Sequence, residues 1–454
     1  GGLTGLGIKE NQTGRTRYIG LAVKDWTGMV PKFPPYVMIS NLTQYYTASL
    51  PFYKDIRNGN ADDNKRMDGG WYYYYPAYLT NGMLDVYIRN SLRFGIQPAF
   101  AWYNLSADVS AVDSSDMVNV PFLETYFTEL MQLCQHCDSV MHGVPVNINI
   151  EPDFIGYMIK DYPTMVSLAS PCSTYAAVKA GVMTNSDPVF PANLKGFCEE
   201  MAYIIKKYYH SAACGWAYPL WAAAHNTGAG EMHLSSGIIA GDFGQLGETA
   251  VALGMNYLTD YISIEGWGYD GGYDIGEGST AYTNPSGSSW FWNMQQWDNY
   301  LIAANILNQS TGLGIILNGN SGHIDNSLAQ SPTYYHSNNK FPNLADTTST
   351  YEDSAPDFFF GDTMYISSGN RLNWFSTIAV GDTAGLSVNG NTVIWKQHIT
   401  KAAQDGVIGI SSGPGMQIDT HNTPDPNTYP LYAPSDQYWW MVKAQRYYLN
   451  PAMK

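Results

Sequence analysis

The sequence predicts an α/β fold, a single parallel β/α barrel, TIM-like, with long insertions over its rim. Amphipathic stretches are repeatedly followed by short apolar runs that end in polar or Gly-rich residues, the pattern of βα units around a parallel sheet. About seven or eight such runs occur, enough to close a barrel. No Pro/Ser-rich linker, charge block or repeat divides the 454 residues, so residues 1–454 read as one decorated unit.

Ile19 to Val23 is the first expected strand, within an N-terminal segment, residues 1–95, that carries the first barrel units. Met83 to Phe94 reads as a helix leading into the strand Gln97 to Tyr103, and Phe122 to Cys137 as a helix before a strand ending at Glu151. Ala192 to Tyr209 is the clearest helix, with Leu194, Phe197, Met201, Ile204 and Ile205 on one face, and it delivers the strand Cys214 to Trp221. Glu248 to Leu258 reads as helix before the strand Tyr261 to Glu265, and Trp290 to Leu307 as helix before Gly314 to Leu317. Residues 321–391 lose the pattern and read as a rim insertion, with β-like runs at Asp357 to Phe360 and Trp374 to Val380. Val393 to Ala403 then reads as helix, Val407 to Ile410 as strand and Tyr438 to Leu449 as a closing helix. The segments 146–150, 215–220, 262–265, 314–317 and 407–410 are expected to be parallel neighbours.

Charged residues make up only 14%, and Gly, Asn, Ser, Thr and 35 Tyr fill the deficit. Such a polar but weakly charged surface suits an extracellular protein that meets neutral polymers. The net charge of −16 repels phosphate backbones and anionic lipid, which argues against nucleic-acid and membrane-surface partners. No run is long enough for a transmembrane helix, and the opening G-G-L-T-G-L-G has neither a Met start nor a signal-peptide pattern, as a processed secreted chain would. Self-assembly is left open. Cys134 and Cys137 lie one helical turn apart without a second pair at zinc-finger spacing, and the nine His are scattered, so no metal or other cofactor is expected. Cys172, Cys198 and Cys214 can supply one disulfide, and Asn11, Asn41, Asn104 and Asn308 each open an N-x-S/T sequon.

The most informative segment is V-N-I-N-I-E-P-D-F-I-G-Y-M, Val146 to Met158. Proline stops the ladder, so Glu151 and Asp153 belong at the C-terminal tip of a buried strand, where parallel α/β folds build active sites. Acids, amides and aromatics recur beyond the other strands: Trp102, Tyr103, Asn104 and Asp108; Trp221 and His225; Glu265, Trp267 and Asp270; Asn318, Asn320 and His323. This mixture suits carbohydrate, since aromatic faces cover the C–H faces of sugars while amides and carboxylates bind hydroxyls. The bland alternative is a set of strand ends whose acids cap helices and whose aromatics are core.

I-E-P-D resembles the strand-end motif of glycoside hydrolase family six, inverting cellobiohydrolases and endoglucanases that cut β-1,4-glucan in a distorted β/α barrel. The resemblance implies Asp153 as general acid. A-W-Y-N-L-S-A-D-V-S-A, Ala101 to Ala111, is similar to the family's preceding strand, which implies Tyr103 as a sugar contact and Asp108 as the acid's helper, 45 residues before Asp153. W-A-Y-P-L-W-A-A-A-H-N (Trp216 to Asn226), I-I-L-N-G-N-S-G (Ile315 to Gly322) and the closing W-W-M-V-K-A-Q-R-Y-Y-L-N-P match in order more than in letters. The resemblance runs roughly from Gln97 to the C-terminus, interrupted by insertions. The family's R-D-C is D-V-S here, and its K-P-G-G corresponds to S-S-G-P-G before Asp419, without lysine. Asp419 is therefore the implied base, with Asp382 in V-G-D-T-A-G as the alternative. Trp102, Tyr103, Trp221, His225, Glu265, Trp267 and Asn318 are the expected substrate contacts.

Two other readings stay open. A retaining glycosidase would use Glu151 and Glu265 as acid and nucleophile with carboxyls roughly 5–5.5 Å apart, against roughly 6.5–9.5 Å for the inverting pair. A carbohydrate-binding or structural surface protein would keep the scaffold without the chemistry.

Overall fold

The computed structural model describes residues 18–21, 36–39, 97–102, 105–108, 111–112, 116–151, 154–161, 174–223, 232, 234–266, 294–318, 358–365, 385–390 and 392–412. In chain order the strands are β1 (Tyr18–Leu21), β2 (Tyr36–Ile39), β3 (Gln97–Trp102), β4 (Ser106–Asp108), β5 (Ala111–Val112), β6 (Asn147–Ile150), β7 (Ala213–Pro219), β8 (Tyr261–Glu265), β9 (Gly314–Asn318), β10 (Asp362–Tyr365), β11 (Leu386–Asn389), β12 (Thr392–Trp395) and β13 (Val407–Ser412). The helices are α1 (Val120–Met141), α2 (Phe154–Asp161), α3 (Tyr175–Lys179), α4 (Leu194–Tyr208), α5 (Ser236–Ala252), α6 (Met294–Thr311) and α7 (Ile399–Gln404).

The molecule is α/β with a mostly parallel sheet. Strands β6, β7, β8, β9 and β13 are parallel neighbours in that order, as the helix-then-strand alternation predicts. Strands β3 and β2 extend the parallel run beyond β6. Strand β1 is antiparallel to both β2 and β13, so the order of neighbours returns to its start. Among the described residues a separate antiparallel sheet, β10-β12-β11, and the short antiparallel pair β4-β5 are also present.

Both faces of the parallel strands are enclosed, and the pleat sorts their residues. Ile148, Ile150, Trp216, Tyr218, Ile262 and Ile264 share the face that meets the helices. There Phe154 of α2 bridges Trp216 (ring centroids 5.4 Å) and Phe197 of α4 (5.8 Å). Asn149, Gly215, Ala217, Tyr261, Ser263 and Glu265 share the opposite, inner face. Gly215 is required there because a Cβ would run into the ring and carbonyl of Tyr261.

Helix α1 starts where Asn119 accepts a hydrogen bond from the Phe122 N–H (3.3 Å) and stops where His142 enters the left-handed region (φ 50°). Its apolar face buries Leu123, Tyr126, Phe127, Leu130, Leu133 and Cys134, each contributing on the order of 1.5–3 kcal/mol for a full-sized side chain. Helix α4 is capped by Asn193 and ends in Lys206 and Lys207, cations placed favourably for the helix dipole. Lys206 also pairs with Asp260 (2.6 Å), whose carboxylate accepts the Cys214 N–H and so ties α4 to the start of β7.

Several expectations are corrected. The helix before β8 spans Ser236–Ala252, not Glu248 to Leu258, because Gly254 (φ 68°) and Leu258 (φ 54°) are left-handed. Residues 393–395 belong to β12, paired with β10 and β11, and the helix starts only at Ile399. Phe358 to Phe360 form a helical turn rather than β structure, because Phe358 and Phe359 pack on Trp297 (5.5 and 5.6 Å). Strand β2 was unanticipated. The expected helices 83–94 and 438–449 and the run 374–380 lie outside the described residues. Cys198 and Cys214 are buried thiols and form no disulfide, so the one expected among Cys172, Cys198 and Cys214 does not use them. Burial pushes the Cys214 thiol up to about 12, which makes it inert. The sequon Asn308 sits in α6 with its amide donating to the Leu313 carbonyl (2.7 Å), so a glycan there would break the helix end. Among the described residues no helix is long and apolar enough to cross a membrane.

Glu200, in the middle of α4, is 2% exposed, and burial pushes its carboxyl up to about 9 from an ordinary 4.5. The folded chain therefore holds a proton that the unfolded chain releases above pH 4.5. Stability from this group is full below that pH, declines as pH rises and is lost by about pH 9. Glu200→Gln is expected to match the parent at pH 4 and to exceed it in urea denaturation at pH 8. The difference should grow by up to ~1.4 kcal/mol per pH unit between those limits.

Candidate active site

The C-terminal ends of the parallel strands gather the polar residues. Glu265 closes β8, in register with Pro219 on β7 and with Asn318, the last residue of β9. The Glu265 side chain, 5% exposed, accepts a long hydrogen bond from the Asn149 amide (3.5 Å), reaching over β7. That reach is open because the intervening inner-face residues of β7 are Gly215 and Ala217. Ser263 Oγ and Asn149 Oδ1 are fully buried on the same face and have no hydrogen-bond partner among the described residues. They give the interior below Glu265 a polar lining suited to water or hydroxyl groups.

Glu151 sits immediately after β6 and is fully buried, in the left-handed region (φ 45°). That conformation turns its side chain away from the interior. Oε1 accepts from the Tyr126 hydroxyl of α1 (2.7 Å), and Oε2 accepts from the Leu105 N–H (3.2 Å). Burial first, then the Glu151 charge and hydrogen bond, hold the Tyr126 phenol well above its ordinary range, so it stays a donor. Leu105 directly precedes β4, which ends in Asp108 and pairs with β5.

The expected site residues divide accordingly. Glu265 and Asn318 are brought together across neighbouring strands, and Asp108 closes a strand whose start is tethered to Glu151. Asp153, Asp419, the alternative Asp382, Tyr103, His225 and Trp267 lie outside the described residues, as do Asn104, Asp270, Asn320 and His323. Trp102 is corrected: it is 1% exposed and packs edge-on against Tyr126 (5.6 Å), on the helix side, so its ring is core rather than a sugar platform. Trp221 lies in the 3₁₀ turn Leu220–Ala222 after β7, half-buried, with its ring edge-on to Tyr157 (5.1 Å) and over Gly156 of α2. Asn149, Tyr126 and Leu105 were not anticipated. The signal for Asn149 was in plain view, since N-I-N-I alternates a polar and an apolar face. Among the described residues no group of three or more His, Cys, Asp or Glu is placed to hold a metal ion.

No protein-family model matches the chain, and no curated protein matches it significantly. Among solved structures the chain is similar to the catalytic core domain of the cellobiohydrolase Cel6A from Chaetomium thermophilum, with 11% identity, a TM-score of 0.28 and coverage of 69% of each chain. A likeness of that size assigns neither family nor activity.

Trp102→Ala is expected to cost about 3–5 kcal/mol of stability, as large-to-small changes of buried aromatics do. Trp221→Ala, at a half-buried ring, should cost less. Chemical denaturation of the two variants checks the order, and a nearly neutral Trp102→Ala would refute the assignment of that ring to the core.

Proposed function

We propose that the chain is a secreted glycoside hydrolase that cleaves a neutral β-linked polysaccharide, first of all a β-1,4-glucan of the cellulose kind, by inverting acid/base chemistry. The observation that carries the reading is Glu265 at the C-terminal end of parallel strand β8, bonded to Asn149 and in register with Asn318; beside the sheet, Asp108 closes the short antiparallel strand β4, whose start is tethered to Glu151. Parallel α/β sheets place their chemistry at that end. We read the circular strand order as one β/α barrel, with residues 321–391 inserted over its rim. The low charge of the sequence suits an uncharged polymer and an extracellular setting.

In this reading Asp153, two residues beyond Glu151, protonates the leaving oxygen. Asp108 raises the pKa of that acid by like-charge repulsion, and Asp419 activates water on the opposite face of the ring. Tyr103 favours the distorted sugar of the transition state, while His225, Glu265, Asn318 and the rings of Trp221 and Trp267 bind the chain on either side. Glu151 turns to Tyr126 of the helix layer and Glu265 reaches Asn149 in the interior, an arrangement that weighs against the two as a facing retaining pair.

The test compares the parent with Asp153→Asn on β-1,4-glucan, mixed-linkage glucan, xylan and chitin, with products resolved by chromatography. Asp153→Asn should lower hydrolysis of the natural polymer by ~10²–10⁴-fold and spare substrates with good leaving groups. Near-normal activity in Asp153→Asn with loss in Glu265→Gln would favour a retaining mechanism. A parent chain that binds glucan without cutting it would instead be a carbohydrate-binding protein.

A further inference from the structure

Four pieces of chain converge on Glu151. Its backbone N–H donates to the Trp102 carbonyl at the end of β3 (2.7 Å), and its carbonyl accepts from the Phe154 N–H at the start of α2 (3.2 Å). Its carboxylate takes the Tyr126 hydroxyl of α1 on one oxygen and the Leu105 N–H on the other. A non-glycine residue with φ 45° is uncommon and persists when surrounding contacts fix it. Packing alone would be served as well by an apolar side chain, since a buried carboxylate carries a desolvation cost that its donors must offset. What the carboxylate adds is direction, because it fixes an N–H and an O–H from two different elements at one point.

We propose that Glu151, two residues before Asp153 in sequence, is a positioning residue: through Leu105 it holds strand β4, and with it the backbone of Asp108, in fixed relation to the C-terminal end of β6. The role as catalytic positioning rests on the hydrolase reading above; the tether itself does not. Asp108 and Asp153 are 45 residues apart in sequence, and the single side chain of Glu151 joins the two segments that carry them. Carboxylates acting on one glycosidic bond must keep their spacing, and small displacements of such groups lower turnover steeply. A loose Leu105 would let Asp108 drift while leaving substrate contacts on β8 and β9 in place. The expected signature is therefore a loss in kcat rather than a rise in KM.

The experiment uses the full chain with Glu151→Leu and Glu151→Gln. It measures hydrogen exchange at the Leu105 amide and steady-state turnover of a soluble β-1,4-gluco-oligosaccharide. Glu151→Leu should speed exchange at Leu105 at least tenfold while the amides of α4 stay within about twofold, and should lower kcat at least tenfold with KM within about twofold. Glu151→Gln keeps both bonds, its carbonyl accepting from Leu105 and its amide donating to the Tyr126 oxygen. It should therefore restore slow exchange at Leu105 and most of kcat. If Glu151→Leu fails to fold, the double variant Glu151→Gln, Tyr126→Phe, whose amide has lost the phenol acceptor, takes its place with partial loosening expected. Unchanged exchange at Leu105, or loosening spread evenly over α4 and β7 with Gln no better than Leu, overturns the proposal. A parent that releases no product overturns the hydrolase reading, and the exchange contrast alone then upholds or overturns the tether.

Discussion

The constraint on which the structure depends is that the parallel strands β6, β7, β8 and β9 are covered on both faces. One face must be apolar to receive helices, and the other must fit side chains inside a curved sheet. Ile148, Ile150, Trp216, Ile262 and Ile264 meet the first demand, against Phe154, Phe197 and the buried face of α1. The second is met by keeping β7 small on its inner face, at Gly215 and Ala217, which leaves space for the Tyr261 ring and for the contact between Asn149 and Glu265. Polar atoms in the interior follow from that space, because a wider cavity lined only by hydrocarbon would forfeit packing.

The two glutamates at the strand tips show how one residue type is put to opposite uses. Glu265 continues the regular alternation of β8 and stays on the inner face. Glu151 follows a strand that stops before proline, and its left-handed backbone carries the side chain over to Tyr126 and Leu105. Identity and position in the motif are therefore poor guides to role; the backbone conformation at the strand end decides which face the carboxylate serves.

Helix α5 illustrates tertiary packing overriding local preference. Its sequence, S-G-I-I-A-G-D-F-G-Q-L-G, holds glycines that disfavour helix, so propensity points instead to the residues after it. The glycines are useful in the fold: Gly247 lies against Ser310 of α6, where a Cβ would collide, and the two helices approach closely there. The segment preceding α5 is in turn fastened by Asn299 of α6, whose amide donates to the carbonyls of Met232 and Leu234 and whose oxygen accepts from Ser236. A buried Asn with this many partners fixes Met232, Leu234 and the first residue of α5 against α6.

The sequence by itself determined the order and parallel pairing of β6, β7, β8, β9 and β13, since each of these strands is an apolar run delivered by a helix and short links leave few other pairings. It also marked Glu265 and Asn318 as strand-end residues, because β-branched runs stop there. It did not determine which face of a strand a residue occupies. Trp102 and Asn149 differ only in the phase of a two-residue period, which the register with neighbouring strands sets. Nor did it reveal β2 or the bounds of α5 and β12, whose short or Gly-containing sequences become regular only through partners far along the chain. The role of Glu151 was decided by tertiary structure alone, because Tyr126 and Leu105 reach it from segments 25 and 46 residues away.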